Sequence, residues 1–208
     1  MINTFESSAQ EYDQWHDRHA LLFQSELLAL KEAVPVYQKG LEIGVGTGRF
    51  AAALNIATGI EPANAMALMA KERGIDVIKG YAERLPFPSD CFDFVLFVTT
   101  VCFLQNPAAA FKESHRVLKD KGKIIIGFID KNSEIGKLYQ KRKSDNKFYK
   151  NAHFMDVDEI SALLEQSGFR NLKFYQTLTK PDLTEIEQPQ PGYGKGSFVV
   201  VITMKIKK

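Results

Sequence analysis

The stretch that decides the fold is Gly40-Leu41-Glu42-Ile43-Gly44-Val45-Gly46-Thr47-Gly48-Arg49. Its first residues predict a short β-strand, and its glycines predict a tight turn in which the backbone can approach a ligand closely. Residues 49–54 can form the helix that follows this turn. A strand, a glycine-rich turn and a helix in this order indicate the first unit of an α/β domain that binds a ligand at the turn.

Strands and helices continue to alternate after this turn. Short apolar runs are followed by segments with helix-start signals, such as a proline in the first turn. The further strands are predicted at residues 56–60, 75–78, 91–98 and 123–129, and the helices at residues 62–73 and 106–122. This alternation predicts a mostly parallel, doubly wound sheet with helices on both faces.

Additional helical segments flank this alternating core. Residues 5–33 carry apolar side chains at roughly helical spacing, and residues 133–150 form a basic segment with an apolar stripe. Asp156 and Glu159 resemble a capping box, which predicts a helix that ends at Gly168. We therefore expect helices before the core and after its fifth strand.

Two final strands are predicted over residues 171–178 and 197–206, and the polar loop between them indicates an antiparallel edge. The expected α/β fold is Rossmann-like and doubly wound, with a mostly parallel seven-stranded sheet, an antiparallel edge strand and an N-terminal helical lid. We expect a single domain over residues 1–208. Its parts are the lid (1–36), the core (37–130), a helical insertion on the substrate side (131–168) and the C-terminal strands (169–208).

The composition limits the class of protein. Hydrophobic residues make up 45% of the 208 residues, which allows a sizeable core, and a net charge of +2 is too small to suggest a nucleic-acid partner. Cys91 and Cys102 are expected to be buried free thiols in a reducing compartment. There is no signal-peptide pattern and no apolar run of the ~20 residues that span a membrane. We expect a soluble cytoplasmic protein without membrane insertion, either a monomer or a homodimer.

Two residues beside the glycines distinguish between nucleotide ligands. A dinucleotide-binding turn would have a third glycine in the G-x-G-x-x-G pattern where this sequence has Arg49. Glu42 precedes the glycines, where a carboxylate could bind the cationic amino group of a methionine moiety and would disfavour a pyrophosphate. The pattern therefore favours S-adenosyl-L-methionine (SAM) over NAD.

A second acid lies at the end of the second predicted strand. The carboxylate of Glu61 could accept hydrogen bonds from both hydroxyls of an adenosine ribose. Dinucleotide enzymes use an acid in the same way, so Glu61 indicates a ribose without indicating a reaction. The alternative is a surface glutamate that is stabilised by the N-terminus of a nearby helix.

Several ordered motifs make the sequence resemble a known family. The segment 80–87 contains Ala-Glu-Arg-Leu-Pro-Phe, Phe92-Asp93 lies on the next strand, Asn106-Pro107 begins a helix, and residues 116–122 read Arg-Val-Leu-Lys-Asp-Lys-Gly. Together with the glycine turn, these motifs resemble the type 11 methyltransferase domain, a class I SAM-dependent group that includes ubiquinone and menaquinone biosynthesis enzymes. The resemblance covers residues 38–130. It implies SAM as the cofactor and S-adenosyl-L-homocysteine (SAH) as its product.

The resemblance also implies roles for individual residues. The glycines would pass under the methionine and ribose, Glu61 would bind the ribose, and Met66 would pack against the adenosine. Ala82 and Glu83 would lie at the adenine edge, and Thr99 would face the methyl donor. The full set of expected cofactor-binding residues is Tyr12, Glu42, Gly44, Gly46, Gly48, Glu61, Pro62, Met66, Ala82, Glu83 and Thr99.

Two features of the family pattern concern the periphery of this site. Many members carry an aspartate just before the Ala-Glu pair, whereas this sequence has Tyr81, so adenine recognition would depend more on backbone contacts and stacking. A Tyr-Asp-x-Trp segment lies near the cofactor in the family, and Tyr12-Asp13-Gln14-Trp15 matches it. We expect this segment to close over the cofactor.

The acceptor of the methyl group is not identified by the sequence, and a small molecule is expected. His153 and Tyr149 are candidates for contact with it, with local packing as the alternative. Not every acceptor requires a base, because positioning of donor and nucleophile supplies much of the rate acceleration. No metal site is expected, and the fourth strand lacks the N-P-P-Y type motif of nucleic-acid amino-methylases. The competing hypotheses are a non-catalytic SAM-binding regulator and an NAD-dependent oxidoreductase.

Overall fold

The computed structural model describes residues 2–180 and 182–206, so Met1, Pro181 and the last two residues of the expected C-terminal segment lie outside it. Its centre is one sheet whose strands, in chain order, are β1 (Gly40–Ile43), β2 (Thr58–Ile60), β3 (Asp76–Ile78), β4 (Phe92–Val98), β5 (Leu118–Ile129), β6 (Phe169–Thr177), β7 (Gln190–Pro191) and β8 (Phe198–Lys205). The helices are α1 (Ile2–Ser7), α2 (Ala9–Arg18), α3 (Ala20–Lys31), α4 (Arg49–Ala53), α5 (Asn64–Glu72), α6 (Pro107–Val117), α7 (Glu134–Lys141) and α8 (Val157–Gln166). Short 3-10 turns lie at Val101–Phe103 and Lys143–Asp145.

The strand order confirms the expected α/β architecture. The order in space is β3-β2-β1-β4-β5-β8-β6-β7, and the first five strands of this row pair in parallel. β8 runs antiparallel to both β5 and β6. The sheet has eight strands instead of the expected seven, because Gln190 and Pro191 of the expected loop pair with β6. A proline is tolerated there since an edge strand does not need every N–H for pairing.

Two expected helices end earlier than the sequence pattern predicts. The helix expected over residues 106–122 ends at Val117, because Leu118 is fully buried in extended backbone and pairs with Phe92 as the start of β5. Burial of an apolar side chain beside a neighbouring strand overrides helix propensity here. The capping box of α8 is present as expected, between Asp156 and Glu159.

The basic segment 133–150 is helical only as far as Lys141. Beyond the 3-10 turn, the Asn146 side-chain oxygen accepts hydrogen bonds from the backbone N–H groups of Phe148 and Tyr149. Asparagine favours such local turns over a continued helix. The turn directs the aromatic residues of this segment towards the interior of the protein.

Apolar clusters cover both faces of the sheet and leave one edge for a site. Phe97, Ile126 and Phe111 belong to one cluster, and Leu96 and Ile125 belong to the other. The strand order reverses between β1 and β4, so the carboxyl ends of these strands border a crevice. Ligands of doubly wound sheets bind in this position.

Two further expectations concern the cysteines and the helices. Cys102 is a buried free thiol, whereas Cys91 is partly exposed because it lies at the start of β4 near the end of the sheet. Among the described helices, none is long and apolar enough to cross a membrane.

Candidate active site

The glycine turn lies between β1 and α4 and is fixed by the neighbouring strand. The backbone N–H groups of Gly44 and Val45 donate to the carbonyl oxygen of Ile60, at 2.8 and 3.0 Å. Gly44, Gly46 and Gly48 all have positive φ angles, at 71°, 55° and 82°. A side chain would be strained in this left-handed backbone, so the turn requires glycine at these positions.

Glu61 closes the other side of the turn. Its Oε2 accepts a hydrogen bond from the Gly46 N–H at 3.0 Å, and its Oε1 accepts one from the Ala63 N–H at 2.9 Å. Burial raises the pKa of this carboxyl, although both backbone donors act in the opposite direction. The two fixed donors orient the carboxylate and leave its other lone pairs for hydroxyl groups of a ligand.

A pocket of about 940 Å³, open to solvent, lies at the carboxyl ends of β1, β2 and β4. Nine of the expected cofactor-binding residues line it, namely Tyr12, Gly44, Gly46, Glu61, Pro62, Met66, Ala82, Glu83 and Thr99. Tyr81, expected at the periphery of the site, also lines the pocket. The lining residues that the sequence analysis did not place there include Phe5, Thr100, Phe103, Leu104 and Gln105. The position of Phe103, Leu104 and Gln105 just after β4 could have predicted their place in the pocket, because loops at the carboxyl ends of strands build such sites.

Two expected cofactor-binding residues, Glu42 and Gly48, do not line this pocket. Glu42 is 2% exposed, and its Oε2 has no hydrogen-bond partner within the described residues. Burial, with a further contribution from the charge of Glu61, raises the pKa of Glu42 well above its usual range. Glu42 therefore lies behind the turn, where burial favours its protonated form, and direct contact with a cationic amino group stays a prediction.

The segment after β3, where an adenine is expected, forms one side of the pocket. Ala82 is buried and Tyr81 is 50% exposed at the mouth. The Oε1 atom of Glu83 accepts hydrogen bonds from the N–H groups of Gln105 and Asn106, at 3.0 and 3.2 Å. Glu83 thus holds the loop after β4 in position, which leaves backbone groups of this segment for a base.

Thr99 lies at the end of β4 in an unusual backbone conformation. Its φ angle is 47°, which is rare for a β-branched residue. The Thr99 N–H donates to the carbonyl oxygen of Gly127 at 2.8 Å, and its side chain is hydrogen-bonded to Tyr12. Strained residues of this kind persist where the surrounding structure holds them, often at functional sites.

Helix α2, part of the expected lid, contributes Tyr12 to the pocket lining and is held by an ion-pair network. Asp13 accepts hydrogen bonds from Arg49 and Arg73, while Arg73 also donates to the carbonyl oxygen of Thr47 at 2.7 Å. Burial acts to raise the pKa of Asp13, but the arginine hydrogen bonds outweigh it and lower that pKa well below the usual range. Trp15 stacks on His19 with ring centroids 4.2 Å apart and does not line the pocket, so Tyr12 is the residue of the Tyr-Asp-x-Trp segment that does.

A second, smaller cavity of about 300 Å³ adjoins the first at Thr99. It is largely apolar and is lined by Val101, Cys102, Phe128, Ile129, Tyr149, Phe154 and Met155 as well as Thr99. Of the two acceptor-site candidates, Tyr149 lines this cavity. His153 is exposed, lines neither cavity and donates its backbone N–H to the carbonyl oxygen of Cys102 at 2.7 Å.

Comparison with known proteins places this geometry in a family. A methyltransferase domain family matches residues 41–126. A crystal structure from Thermotoga maritima, of a SAM-dependent methyltransferase and possible histamine N-methyltransferase, is 45% identical in sequence. It superposes with a TM-score of 0.95 over 99% of this chain and 100% of that chain. The chain is a SAM-dependent methyltransferase.

Two curated relatives extend this comparison. An uncharacterised protein of Methanocaldococcus jannaschii is 44% identical to this chain, and the match covers 99% of this chain and 100% of that protein. The demethylmenaquinone methyltransferase of Staphylococcus haemolyticus is 28% identical over 67% of this chain and 72% of its own length. The Staphylococcus relative supports the quinone-methyltransferase-like group inferred from the motifs. The family match and the Thermotoga structure overturn the NAD-dependent oxidoreductase alternative.

SAM is the cofactor of this family, and the residues of the larger pocket fit it. Gly46 has no atom within 4 Å of the position that a Cβ would occupy, so the turn leaves open space beside the Glu61 carboxylate. The buried carboxylate of Glu61 is already oriented by two backbone donors. Met66 and Ile60 line the same pocket with apolar side chains, as packing against an adenosine would require.

Proposed function

We propose that the methyltransferase methylates a small molecule that is bound in the smaller cavity, beside Thr99. The observation that carries the proposal is the contact of the two cavities at that residue, since a donor in the larger one would then face an acceptor in the smaller one. The smaller cavity is lined mostly by apolar and aromatic side chains, which suits a small acceptor better than a polymer.

The residues of the chain would bind, orient and shield the reactants. Glu61 would accept hydrogen bonds from the ribose hydroxyls, while the glycine turn would pass under the sugar and the methionine. Bound SAM supplies an electrophilic methyl group on a sulfonium. Tyr12 and Phe5 would cover the larger pocket from the lid, and Thr99 would fix the distance between donor and acceptor. Such positioning supplies much of the acceleration in methyl transfer.

Calorimetric titration with SAH, with NAD as a control ligand, tests the cofactor site. We expect SAH binding, and in Glu61→Ala a loss of at least about tenfold in affinity, because hydrogen bonds to a charged acceptor contribute about 1.5–3 kcal/mol each. Glu72→Ala, which removes an exposed carboxylate on α5, is the matched control and should bind SAH normally. Preference for NAD, or equal affinity in the Glu61 variant, would contradict the assigned site.

Methyl transfer from labelled SAM to a panel of amines, phenols and quinols then tests the acceptor class. A labelled product that requires Glu61 would support a small-molecule acceptor. Tight SAM binding without transfer to any member of the panel would instead favour a non-catalytic SAM-binding role.

A further inference from the structure

One end of the larger pocket is closed where two loops meet. The loops contribute Ala82 and Glu83 after β3, and Leu104 and Gln105 after β4, and all four residues line the pocket. The Oε1 atom of Glu83 accepts a hydrogen bond from the backbone N–H of Gln105 at 3.0 Å. This bond joins the two loops, so it holds the backbone of Gln105 beside the segment after β3.

This end of the pocket is where the base of SAM would lie. In the proposed binding mode, Glu61 fixes the ribose beside the glycine turn, and the methionine extends towards Thr99. The base and the methionine are attached to the ribose on either side of its ring oxygen. The base would therefore occupy the remaining end of the pocket, beside Ala82 and Gln105.

The carboxylates that line the pocket have other roles. Among the described residues, they belong to Glu61, which would bind the ribose, and to Glu83. Glu83 holds the loop after β4 through the backbone N–H groups of Gln105 and Asn106. Many family members carry an aspartate just before the Ala-Glu pair, where this chain has the half-exposed Tyr81 with its single hydroxyl group. Recognition of the base thus calls for another polar side chain.

The side-chain amide of Gln105 is available for this contact. Gln105 is exposed and lines the pocket. Within residues 2–180 and 182–206, its amide has no hydrogen-bond partner. The amide oxygen of the neighbouring Asn106 accepts the Ala109 N–H at the start of α6, so that side chain is already used as a helix cap.

We propose that the side-chain amide of Gln105 recognises the adenine base of SAM by a two-point contact. An amide carries an acceptor and a donor side by side in one plane. The 6-amino group of adenine is a donor that lies beside a ring nitrogen acceptor, and glutamine pairs with adenine in this way in protein–DNA complexes. This inference rests on the proposed placement of SAM in the larger pocket, and it makes Gln105 a determinant of cofactor specificity.

Two-point recognition should depend on the substituent at position 6 of the purine. Removal of the 6-amino group deletes the donor and leaves the side-chain oxygen of Gln105 without a partner. Bidentate pairs of this kind discriminate between bases by roughly five- to 150-fold. The lower end of that range applies here, because Gln105 is exposed and one of the two hydrogen bonds is retained.

Calorimetry with two ligands tests the contact through binding alone. One ligand is SAH, and the other is its analogue in which purine, which lacks the 6-amino group, replaces adenine. We expect the unaltered protein to bind SAH at least about fivefold more tightly than the analogue. In Gln105→Ala the ratio should fall to about twofold or less. The amide is lost in this variant, while the backbone N–H that bonds to Glu83 is kept.

Two further variants control this experiment. Gln24→Ala should keep the preference for SAH, because Gln24 is also an exposed glutamine but lines neither cavity. Gln105→Glu separates the two points of contact, since its carboxylate can accept from the 6-amino group but cannot donate to the ring nitrogen. It should bind SAH at least about threefold more weakly than the unaltered protein and still prefer SAH to the analogue.

Each outcome separates this inference from the proposed function. An unchanged preference in Gln105→Ala would assign the base contact to other groups and overturn the inference. Equal binding of both ligands by the unaltered protein would overturn it as well, and full SAH affinity in Gln105→Glu would show that the amide donates no hydrogen bond. Failure of the unaltered protein to bind SAH would instead refute the proposed function.

Discussion

At the level of single residues, Gly46 and Gly48 share a left-handed backbone but have different surroundings. A Cβ on Gly48 would lie 2.9 Å from both Cα and Cβ of Ala70 on α5, whereas a Cβ on Gly46 would have no atom within 4 Å. Gly48 is therefore required for packing of the turn against a helix, and Gly46 is required for access to the pocket.

Alanine substitutions should separate these two requirements. Gly48→Ala should lower the free energy of unfolding by about 2–4 kcal/mol, because backbone strain adds to overpacking against Ala70. Gly46→Ala should cost only about 1–2 kcal/mol of stability but weaken SAH binding, since its new methyl group would enter the pocket. Urea unfolding and calorimetry measure the two effects, and equal destabilisation by both substitutions would contradict this interpretation.

The pH dependence of stability should report the buried acid on α3. Burial raises the folded-state pKa of Glu26 to about 8, from an unfolded value of 4.5. Its contribution is fully present below pH 4.5 and is lost as the pH rises to about 8, because the unfolded state ionises first. Over this pH range, the free energy of unfolding should fall by on the order of 4 kcal/mol less in Glu26→Gln than in the unaltered protein. Unfolding curves that fall equally in both proteins would show that Glu26 is not buried as an uncharged acid.

Single residues also mark the limit of sequence-based prediction. Glu61 and the glycines could be placed in the pocket because motif and strand end coincide in a short segment. Phe5 and Phe103 could not, because they come from distant segments of the chain and contact each other only in the folded protein.

At the level of elements, the ion pairs of α2 should control how long the cofactor stays bound. Asp13→Asn removes the charge shared by Arg49 and Arg73, so the lid should open more often. We expect SAH to dissociate about three- to tenfold faster, as measured by stopped-flow displacement. Asp17→Asn is the control, because Asp17 is exposed and pairs with Arg49 alone; a similar acceleration there would argue against a specific role of Asp13.

Element boundaries show where local sequence signals compete with tertiary contacts. The capping box of α8 is a local signal and was predicted correctly. The ends of α6 and α7 depend on distant partners, namely Phe92 beside Leu118 and the aromatic cluster around Tyr149. Local propensity does not contain that information, so both helices were predicted too long.

At the level of the whole molecule, the lid and the insertion after β5 meet over the pocket. Lys147 forms an ion pair with Glu11, and Phe148 contacts Phe5 and Tyr12 at 5.7 and 5.4 Å. Cofactor binding should therefore order two segments that are far apart in sequence. SAH should increase amide hydrogen-exchange protection in residues 2–18 and 143–150 together; protection of only one segment would contradict this coupling.

Binding of SAH should also raise the temperature of thermal unfolding. A ligand at 100 times its dissociation constant stabilises a protein by about 2.7 kcal/mol. For a chain of this size, that corresponds to an increase of roughly 5–10 °C in the unfolding midpoint Tm. SAH should produce this shift in the unaltered protein and a much smaller one at the same concentration in Glu61→Ala. An equal shift in both would place the ligand elsewhere.

The position of β8 has a consequence for the order in which the protein can form. This strand comes from residues 198–205, yet it lies inside the sheet, between β5 and β6. During synthesis, the edge of β5 that pairs with β8 stays unpaired until about eighty further residues have left the ribosome. Unpaired strand edges are prone to incorrect pairing with other chains. A nascent chain of this protein should therefore depend on chaperones until β8 has been made.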